Sequence, residues 1–377
     1  MTEAPRDALK ARIEAFIRAS AAESYADSSY AADDRDKLLT DILAWQVEKL
    51  APLARLKASR SVRYPSSSES PDAYPALPTD LFRSMRIASF DTAHDTRVFR
   101  TSGTTQGTRG AHVFQDLDLY DLAAETAARF ALFPDVSRMR LIVLAPSADE
   151  LSDSSLSYML SRFHDWFGTQ DDTVAIRNGE LDMQRLGDAL ADATRTCEPV
   201  ALLGTSFAFV HADDAWQSKQ FSLPSGSRIM QTGGFKGRSR EVEPDAMRAM
   251  LEARYGVPDA FIVAEYGMTE LSSQMYETTL RDVLYAKSVS PRRLWVPPWV
   301  RALPVHPETC LPVAPGTPGI LRIDDAANLD SCVAIQTADL ATAALDGIVV
   351  QGRDPSAVPR GCSLAMDIAL SDGAAHA

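Results

Sequence analysis

The sequence predicts an α/β fold whose sheet is buried on both faces, with a helical segment before it and a β-rich part after it. Apolar residues recur at helical spacing near the N-terminus, and short apolar runs alternate with helical patterns from Arg100 onward. Prolines and short β-like runs dominate after Pro291. Short apolar runs between helices are typical of parallel strands covered on both faces. We therefore expect residues 1–63 as a helical lead-in, 84–290 as the α/β core and 291–377 as a β-rich subdomain.

The lead-in is predicted by its apolar spacing. Between residues 5 and 58 apolar side chains recur every three or four positions, which is the period of an amphipathic helix. They include Leu9, Ile13, Leu38 and Ile42. Residues 64–78, YPSSSESPDAYPALP, are rich in proline and serine and predict a loop between the lead-in and the core.

The core is predicted as an alternation of strands and helices. The predicted strands cover residues 141–144, 173–176, 200–203, 228–230 and 260–263. The predicted helices cover residues 156–167, 181–193, 207–217 and 244–254. In the C-terminal part the β-like runs are residues 319–323, 333–335 and 347–350.

Composition limits the classes of function. A chain of 377 residues with 45% hydrophobic and 24% charged residues is typical of a globular protein with a sizeable core. Its net charge of −13 disfavours a nucleic-acid or anionic-membrane partner. The charged N-terminus and the lack of a run near about 20 apolar residues lead us to expect a cytoplasmic protein without a membrane span. Scattered cysteines and histidines, without CxxC or HExxH, predict neither a disulfide framework nor a zinc site.

Residues 101–110, TSGTTQGTRG, have the composition of an anion-binding loop. Glycines allow close backbone approach, and hydroxyl and N–H groups can surround a phosphate. The plainer alternative is a flexible polar turn, and the Walker pattern GxxxxGK[ST] is absent. The segment resembles the phosphate loop of the adenylate-forming enzymes, with Gln106 in place of a glycine and Arg109 in place of a lysine. The resemblance implies that phosphate lies near Ser102, Gly103, Thr104, Thr105 and Gly107.

Residues 266–270, YGMTE, resemble the YGxTE motif of the same superfamily. The resemblance implies that Tyr266 and Gly267 line the nucleotide site, that Thr269 contacts the adenylate phosphate and that Glu270 reaches Mg²⁺. A carboxylate is a suitable ligand for this hard cation. The plainer alternative is a tight turn before a capped helix.

A glycine pair and a C-terminal segment extend the resemblance. Gly233 and Gly234 resemble the pair that lets adenine lie against the backbone, although a strand-to-helix turn would use the same residues. The segments TADL, DG and GRD resemble TGDL…DG…GRxD, which implies that Asp339 binds ribose hydroxyls and that Arg353 lies at a hinge. The alternative is a β-hairpin with an Asp-Gly turn. Because the four motifs occur in family order, we expect the large N-terminal domain of an adenylate-forming (ANL-like) enzyme.

The last motif is the segment RGCSL around Cys362. Adenylate-forming enzymes continue into a lid domain with a catalytic lysine, whereas this sequence ends soon after Arg353, so we expect no full lid domain. From about Ser84 to the C-terminus the chain resembles the LuxE-type acyl-protein synthetases, and GGFKGRSREV and EYGMTELSSQ carry the same likeness. The resemblance implies an acyl group held as a thioester on Cys362. The neighbouring Arg360 would lower the pKa of that thiol.

The remaining cysteines, Cys197, Cys310 and Cys332, are expected to be inert. His211 and His306 are both candidates for a base that serves Cys362.

Three functional hypotheses follow. The first is an acyltransferase that takes an acyl or aryl group from coenzyme A and passes it, through Cys362, to the phosphopantetheine of an acyl carrier protein or to another protein acceptor. The second is an ATP- and Mg²⁺-dependent acyl-protein synthetase that starts from a carboxylic acid. The third is a catalytically silent binding protein or partner subunit. The first two require residues 102–107, residues 266–270 and Asp339 to converge on one pocket.

Overall fold

The structure, a computed structural model, describes most of the chain. The described residues are 3–22, 28–63, 70–102, 108–217, 219–233, 242–285 and 291–353. They fall into two compact units. Unit 1 comprises Met1–Thr126, Thr269–Ser273 and Trp295–Ala377, and unit 2 comprises Ala127–Met268 and Gln274–Leu294.

Ten α-helices run through the described residues. They are α1 (Glu3–Ala22), α2 (Ser28–Lys49), α3 (Ala51–Arg63), α4 (Leu81–Ser84), α5 (Asp118–Ala131), α6 (Ser155–Phe167), α7 (Met183–Thr196), α8 (Ser206–Trp216), α9 (Pro244–Tyr255) and α10 (Thr279–Leu284). Short 3₁₀ helices lie at Pro71–Ala73, Thr92–His94 and Asp259–Phe261. No helix in the described part of the chain is both long enough and apolar enough to cross a membrane.

The strands are mostly short in unit 2 and longer in the C-terminal part. They are β1 (Leu77–Pro78), β2 (Arg97–Arg100), β3 (Ala111–Phe114), β4 (Arg140–Leu144), β5 (Thr173–Val174), β6 (Ile176–Arg177), β7 (Glu180–Leu181), β8 (Val200–Thr205), β9 (Arg228–Thr232), β10 (Ile262–Tyr266), β11 (Met275–Glu277), β12 (Leu294–Trp295), β13 (Val300–Val305), β14 (Gly319–Asp325), β15 (Ala334–Ala344) and β16 (Gly347–Arg353).

Unit 2 is the α/β core that the alternating pattern predicts. Its strands follow the order β11-β10-β9-β8-β4-β5. Strands β10, β9, β8, β4 and β5 are parallel, and β11 is antiparallel to β10. Apolar side chains of β4, β8, β9 and β10 pack with those of α7, α8 and α9 into one buried cluster that covers one face of the sheet.

Local signals fix where the helices of unit 2 begin and end. The N-cap side chains of Ser154, Asp182 and Thr205 accept hydrogen bonds from backbone N–H groups in the first turns of α6, α7 and α8. The C-cap residues Cys197 and Gly256 adopt the left-handed conformation after α7 and α9. The Thr205 cap turns the chain directly from β8 into α8, which brings polar groups to the carboxyl end of the sheet.

Unit 1 joins the N-terminal helices to the C-terminal strands. Strands β13, β14, β15 and β16 are antiparallel neighbours, and β1 runs parallel to β15. The fully buried amide of Gln46 on α2 donates to the carbonyls of Asn328 and Ser331 and accepts from the N–H of Val333. The guanidinium of Arg6 on α1 binds the Asp330 carboxylate with two 2.6 Å contacts. These contacts attach the N-terminal helices to the loop between β14 and β15.

The structure confirms the helical lead-in and the α/β core, and it corrects three local details. The expected strand at residues 173–176 is two short strands, β5 and β6, that belong to different sheets. The expected strand at 260–263 begins at Ile262, after a 3₁₀ turn. The expected loop at 64–78 ends in the 3₁₀ helix Pro71–Ala73 and the strand β1. The domain boundaries stay a prediction.

Candidate active site

The glycine-rich loop begins and ends on a β-hairpin. Strands β2 and β3 pair until Arg100 lies opposite Ala111. Beyond that pair, the N–H of Thr101 donates to the Gly110 carbonyl at 2.9 Å, and the N–H of Gly110 donates to the Thr101 hydroxyl at 2.9 Å. Ser102 is exposed just beyond this closure. Gly103, Thr104, Thr105 and Gly107, together with Gln106, lie outside the described residues.

Arg109, which replaces the customary lysine, binds the backbone of its own loop. Its Nε donates to the Thr101 carbonyl at 2.6 Å, and its Nη2 donates to the Arg100 carbonyl at 3.1 Å. A planar guanidinium can make both contacts at once, whereas a single ammonium cannot match this geometry. Arg109 therefore fastens the base of the loop.

His112, two residues past the loop, contacts the YGMTE motif. Its ring is buried, and its Nδ1 lies 2.7 Å from the carbonyl oxygen of Thr269. Because a carbonyl only accepts hydrogen bonds, Nδ1 must carry the proton. Burial lowers the pKa of His112 to about 4, so the ring is neutral near pH 7. A neutral histidine thus links the loop's hairpin to Thr269.

A buried polar network holds the residues that follow Thr269. The Asp325 carboxylate accepts from the N–H groups of Ser272 and Ser273 at 3.0 and 2.8 Å, and from the Ser273 hydroxyl at 2.7 Å. The Asn328 amide donates to the Glu270 carbonyl at 2.8 Å and accepts from the Ser272 hydroxyl at 2.6 Å. These contacts hold the backbone from Glu270 to Ser273 in place.

A small cavity lies beside this network. It measures about 10 Å³ and is lined by polar side chains that include those of His112, Asp116, Ser272 and Asn328. A volume of this size has room for about one water molecule. The cavity is therefore too small to hold a substrate.

Asp339 and Arg353 form a cross-strand pair in the β15–β16 hairpin. They are register partners, and Arg353 Nε donates to Asp339 Oδ1 at 3.2 Å. Asp339 is buried, while 62% of the Arg353 side chain is exposed. The β-hairpin of the alternative is present, but its two turn residues are Leu345 and Asp346, and Gly347 already pairs with Ala344. An Asp339 carboxylate held in this way is a suitable acceptor for a diol, and its role with ribose stays a prediction.

In unit 2, polar groups gather at the carboxyl ends of the parallel strands. The Ser206 hydroxyl, at the start of α8, donates to the Gly233 carbonyl at 2.9 Å. Gly233 follows β9 with a φ of +73°, a conformation that favours glycine. Gly234 lies outside the described residues. Ligands of open α/β sheets bind at this end of the strands, and the role of Gly233 in an adenine site stays a prediction.

Tyr266 is the last residue of β10, and Gly267 follows it at the same end of the sheet. A Cβ on Gly267 would lie 2.5 Å from Oε1 of Glu265, which is closer than real carbon–oxygen contacts allow. Glu265 is buried, its carboxylate accepts a hydrogen bond from the Thr232 hydroxyl, and burial raises its pKa to about 7. A side chain at this position would therefore have to displace the end of the buried Glu265 carboxyl.

Glu270 is the residue of YGMTE that the sequence names as a magnesium ligand. Within the described residues, no group of three or more His, Cys, Asp or Glu side chains could form a closed metal cage. Mg²⁺ usually binds one or two carboxylates and keeps its other positions for water and substrate phosphates. The buried Glu270 would be the protein ligand of a magnesium–nucleotide complex, and this role stays a prediction.

Of the residues named for covalent chemistry, Arg360 and Cys362 lie outside the described residues. Among the others, burial raises the pKa of the Cys332 thiol to about 12, which agrees with an inert thiol. Cys197 is exposed at the C-cap of α7. The Nδ1 of His306 accepts from the N–H groups of Glu308 and Thr309, so one ring nitrogen of this base candidate caps a turn.

Sequence analysis did not single out His112, Thr232, Glu265, Gln274 or Asp325. A signal existed for Glu265, a charged residue that ends the apolar run before YGMTE. A weaker signal existed for His112, which stands between apolar residues just after the loop. Asp325 and Asn328 bind partners that lie more than about 50 residues away in the sequence, and short motifs do not reveal such contacts.

Comparison with known proteins gives one curated relative and a set of solved structures. No family model matches the chain. The long-chain-fatty-acid–luciferin-component ligase of Aliivibrio fischeri is 23% identical over 295 residues, which cover 76% of this chain and 72% of the ligase. A 2-hydroxyisobutyryl-CoA ligase, solved with 2-HIB-AMP and CoA, matches with a TM-score of 0.60 at 14% identity over 88% of this chain and 77% of its own.

A third match is ATP-bound MatB from Rhodopseudomonas palustris, with a TM-score of 0.45 and 17% identity over 68% of this chain. The matched region spans 47% of the length of MatB.

The luciferin-component ligase and the 2-hydroxyisobutyryl-CoA ligase confirm the resemblance that the motifs predicted: the chain is similar in sequence to a LuxE-type ligase and has the fold of the adenylate-forming ligases.

Proposed function

We propose that this protein activates an acyl group and carries it as a thioester on Cys362. The observation that supports this most directly is the similarity to the luciferin-component ligase over 76% of the chain. The motifs TSGTTQGTRG, YGMTE and TADL, which the chain carries in the order of that family, support it further. The protein is thus an enzyme in this proposal. The alternative, a catalytically silent binding protein, would be indicated if no acyl-enzyme forms in the experiment below.

The acyl donor in our first choice is an acyl or aryl thioester of coenzyme A. The Cys362 thiolate would attack the thioester carbonyl, a carbon–sulfur bond to Cys362 would form, and the bond to coenzyme A would break with release of its thiolate. A second exchange would move the acyl group to a phosphopantetheine thiol of a carrier protein or to another protein acceptor. Each step exchanges one thioester for another, so no nucleotide is consumed.

Arg109 supports the choice of a thioester donor. In its position a lysine is customary, and Arg109 instead donates to the carbonyls of Thr101 and Arg100. These bonds direct the guanidinium nitrogens Nε and Nη2 toward the loop's own backbone. In this proposal Arg109 stabilises the hairpin and does not contact a transferred phosphate.

The second candidate is an ATP-dependent acyl-protein synthetase, and two observations favour it. The relative is named as a ligase, and the 2-hydroxyisobutyryl-CoA ligase structure holds an acyl-adenylate. Thr269 and Glu270 are also firmly positioned by His112 and Asn328. In this scheme Asp339 would bind ribose, and Glu270 would bind Mg²⁺, which neutralises phosphate charge during adenylation.

The test is to incubate the purified chain with acyl-CoA thioesters, or with the free acids, in the presence and absence of ATP and Mg²⁺. Intact mass would report the acyl-enzyme, and free thiol or pyrophosphate would report the leaving group. Acyl-enzyme formed from acyl-CoA without ATP supports the first choice. Acyl-enzyme formed only from free acid and ATP supports the second, and no acyl-enzyme under either condition refutes both.

A further inference from the structure

A buried carboxyl at the carboxyl end of β10 has no counter-charge among the residues that the structure describes. Glu265 is 7% exposed, and its cross-strand neighbour Thr232 donates a hydrogen bond to its carboxylate. Burial raises the pKa of Glu265 to about 7, and among the described residues only the Thr232 hydroxyl opposes the shift. Near neutral pH this carboxyl can therefore either donate or accept a hydrogen bond.

A second buried polar group, the side-chain amide of Gln274, lies close to Glu265. Gln274, just before β11, is 4% exposed, and its side-chain Oε1 has no hydrogen-bond partner within the described part of the chain. Buried polar atoms of native proteins are nearly always paired, so an unpaired acceptor points to a partner that arrives with a ligand. An apolar side chain at position 274, or an amide with a hydrogen-bond partner, would avoid the free-energy cost of burying an unpaired acceptor.

Gly267 brings the two groups to one place. The position of a Cβ on Gly267 lies 2.5 Å from Glu265 Oε1 and 3.5 Å from Gln274 Cγ, so both side chains flank the same glycine. Gly267 is exposed, whereas Glu265 and Gln274 are not. This location is the carboxyl end of the parallel strands, where α/β sheets bind their ligands.

We infer that Glu265 and Gln274 form a polar subsite that selects acyl groups bearing a hydroxyl. A hydroxyl can donate to Gln274 Oε1 and can exchange a second hydrogen bond with the Glu265 carboxyl. An unsubstituted alkyl chain would leave both groups unpaired and would be disfavoured for that reason. The inference rests on the proposed acyl-activating function and names its substrate class.

The experiment uses matched pairs of thioesters that differ only by a hydroxyl: 3-hydroxybutyryl- and butyryl-CoA, 3-hydroxydecanoyl- and decanoyl-CoA, and 4-hydroxybenzoyl- and benzoyl-CoA. The corresponding free acids with ATP form a second panel. The full-length chain should form acyl-enzyme with the hydroxylated member of at least one pair about tenfold faster or more. Equal rates within every pair would overturn the inference while leaving the proposed function intact.

Gln274→Leu is the decisive variant. It should remove the preference by slowing the hydroxylated substrate, and it should raise the thermal midpoint because it removes a buried unpaired acceptor. Gln351→Leu, at an exposed glutamine, is the matched control and should change neither quantity. A preference that survives in Gln274→Leu would overturn the inference. Acyl-enzyme formation from no member of either panel would refute the proposed function, and the inference with it.

Discussion

His112 should give the protein a pH-dependent stability that an asparagine at the same position abolishes. The ring is fully buried, and its Nδ1–H donates to the carbonyl of Thr269 at 2.7 Å. In His112→Asn the side-chain amide can place an N–H near the same carbonyl but cannot take up a proton. The variant therefore keeps the contact and loses only the titration.

The magnitude follows from the pKa of His112, which burial lowers from 6.5 to about 4. A lowered pKa means that the unfolded chain binds the proton more readily than the folded chain. Stability from this group is therefore complete above pH 6.5 and is lost as the pH falls toward 4. Between pH 7 and pH 5 the wild-type protein should lose about 2 kcal/mol more than His112→Asn.

The assay is denaturant unfolding of both proteins at several values between pH 5 and pH 8, analysed as the difference between them. Glu265, whose raised pKa acts in the opposite direction, is present in both proteins, and its contribution cancels in the difference. The difference should grow as the pH falls below 6.5 and stay flat above 7. A difference that is flat across the whole range would show that His112 is not held neutral by burial, and the link to Thr269 would lose its basis.

Three further predictions concern single contacts. Gly267→Ala should slow acyl-enzyme formation about tenfold or more, because the added Cβ would collide with the Glu265 carboxyl. The control Gly187→Ala should not slow it, because the Cβ there meets only Lys219 Nζ at 3.4 Å. Arg109→Lys should raise KM for the acyl donor about tenfold with little change in kcat, because the loop base loses the two guanidinium contacts with the carbonyls of Thr101 and Arg100. Unchanged steady-state kinetics would show that these contacts do not hold the loop for substrate binding. Asp325→Asn should lower the free energy of unfolding by about 3 kcal/mol in denaturant titrations, because an amide cannot accept from all the donors that surround this carboxylate, and a loss below about 1 kcal/mol would contradict that account.

Much of the fold could be predicted because its signals are local. Apolar runs such as residues 141–144 and 200–203 became the parallel strands β4 and β8, and the helical spacing of residues 5–58 became α1, α2 and α3. The element boundaries moved by a few residues where a 3₁₀ turn intervened, as before β10. Such turns depend on hydrogen bonds that apolar periodicity does not describe.

Sequence motifs predicted the candidate site, but they did not predict the buried residues that position the motif residues by hydrogen bonds. YGMTE and Asp339 were found because short glycine, hydroxyl and carboxylate patterns carry a recognisable chemistry. His112 and Asp325 were not found, because each acts through a partner that the fold and not the sequence brings near. Gln274 was not found, because only the fold buries its side chain beside Gly267. A charged residue that follows an apolar run within a strand, such as Glu265 in β10, indicates a buried titratable group and a candidate functional residue.

The central claim is that an acyl group is held on Cys362, and the mass of the intact protein tests it most directly. After incubation with an acyl donor, the wild-type protein should gain the mass of one acyl group, and the adduct should be lost on treatment with hydroxylamine. Cys362→Ala should gain none, while Cys197→Gly, at a left-handed C-cap where glycine fits, should label as the wild-type protein does. A stable acyl adduct on Cys362→Ala, or wild-type turnover in that variant, would contradict the thioester account.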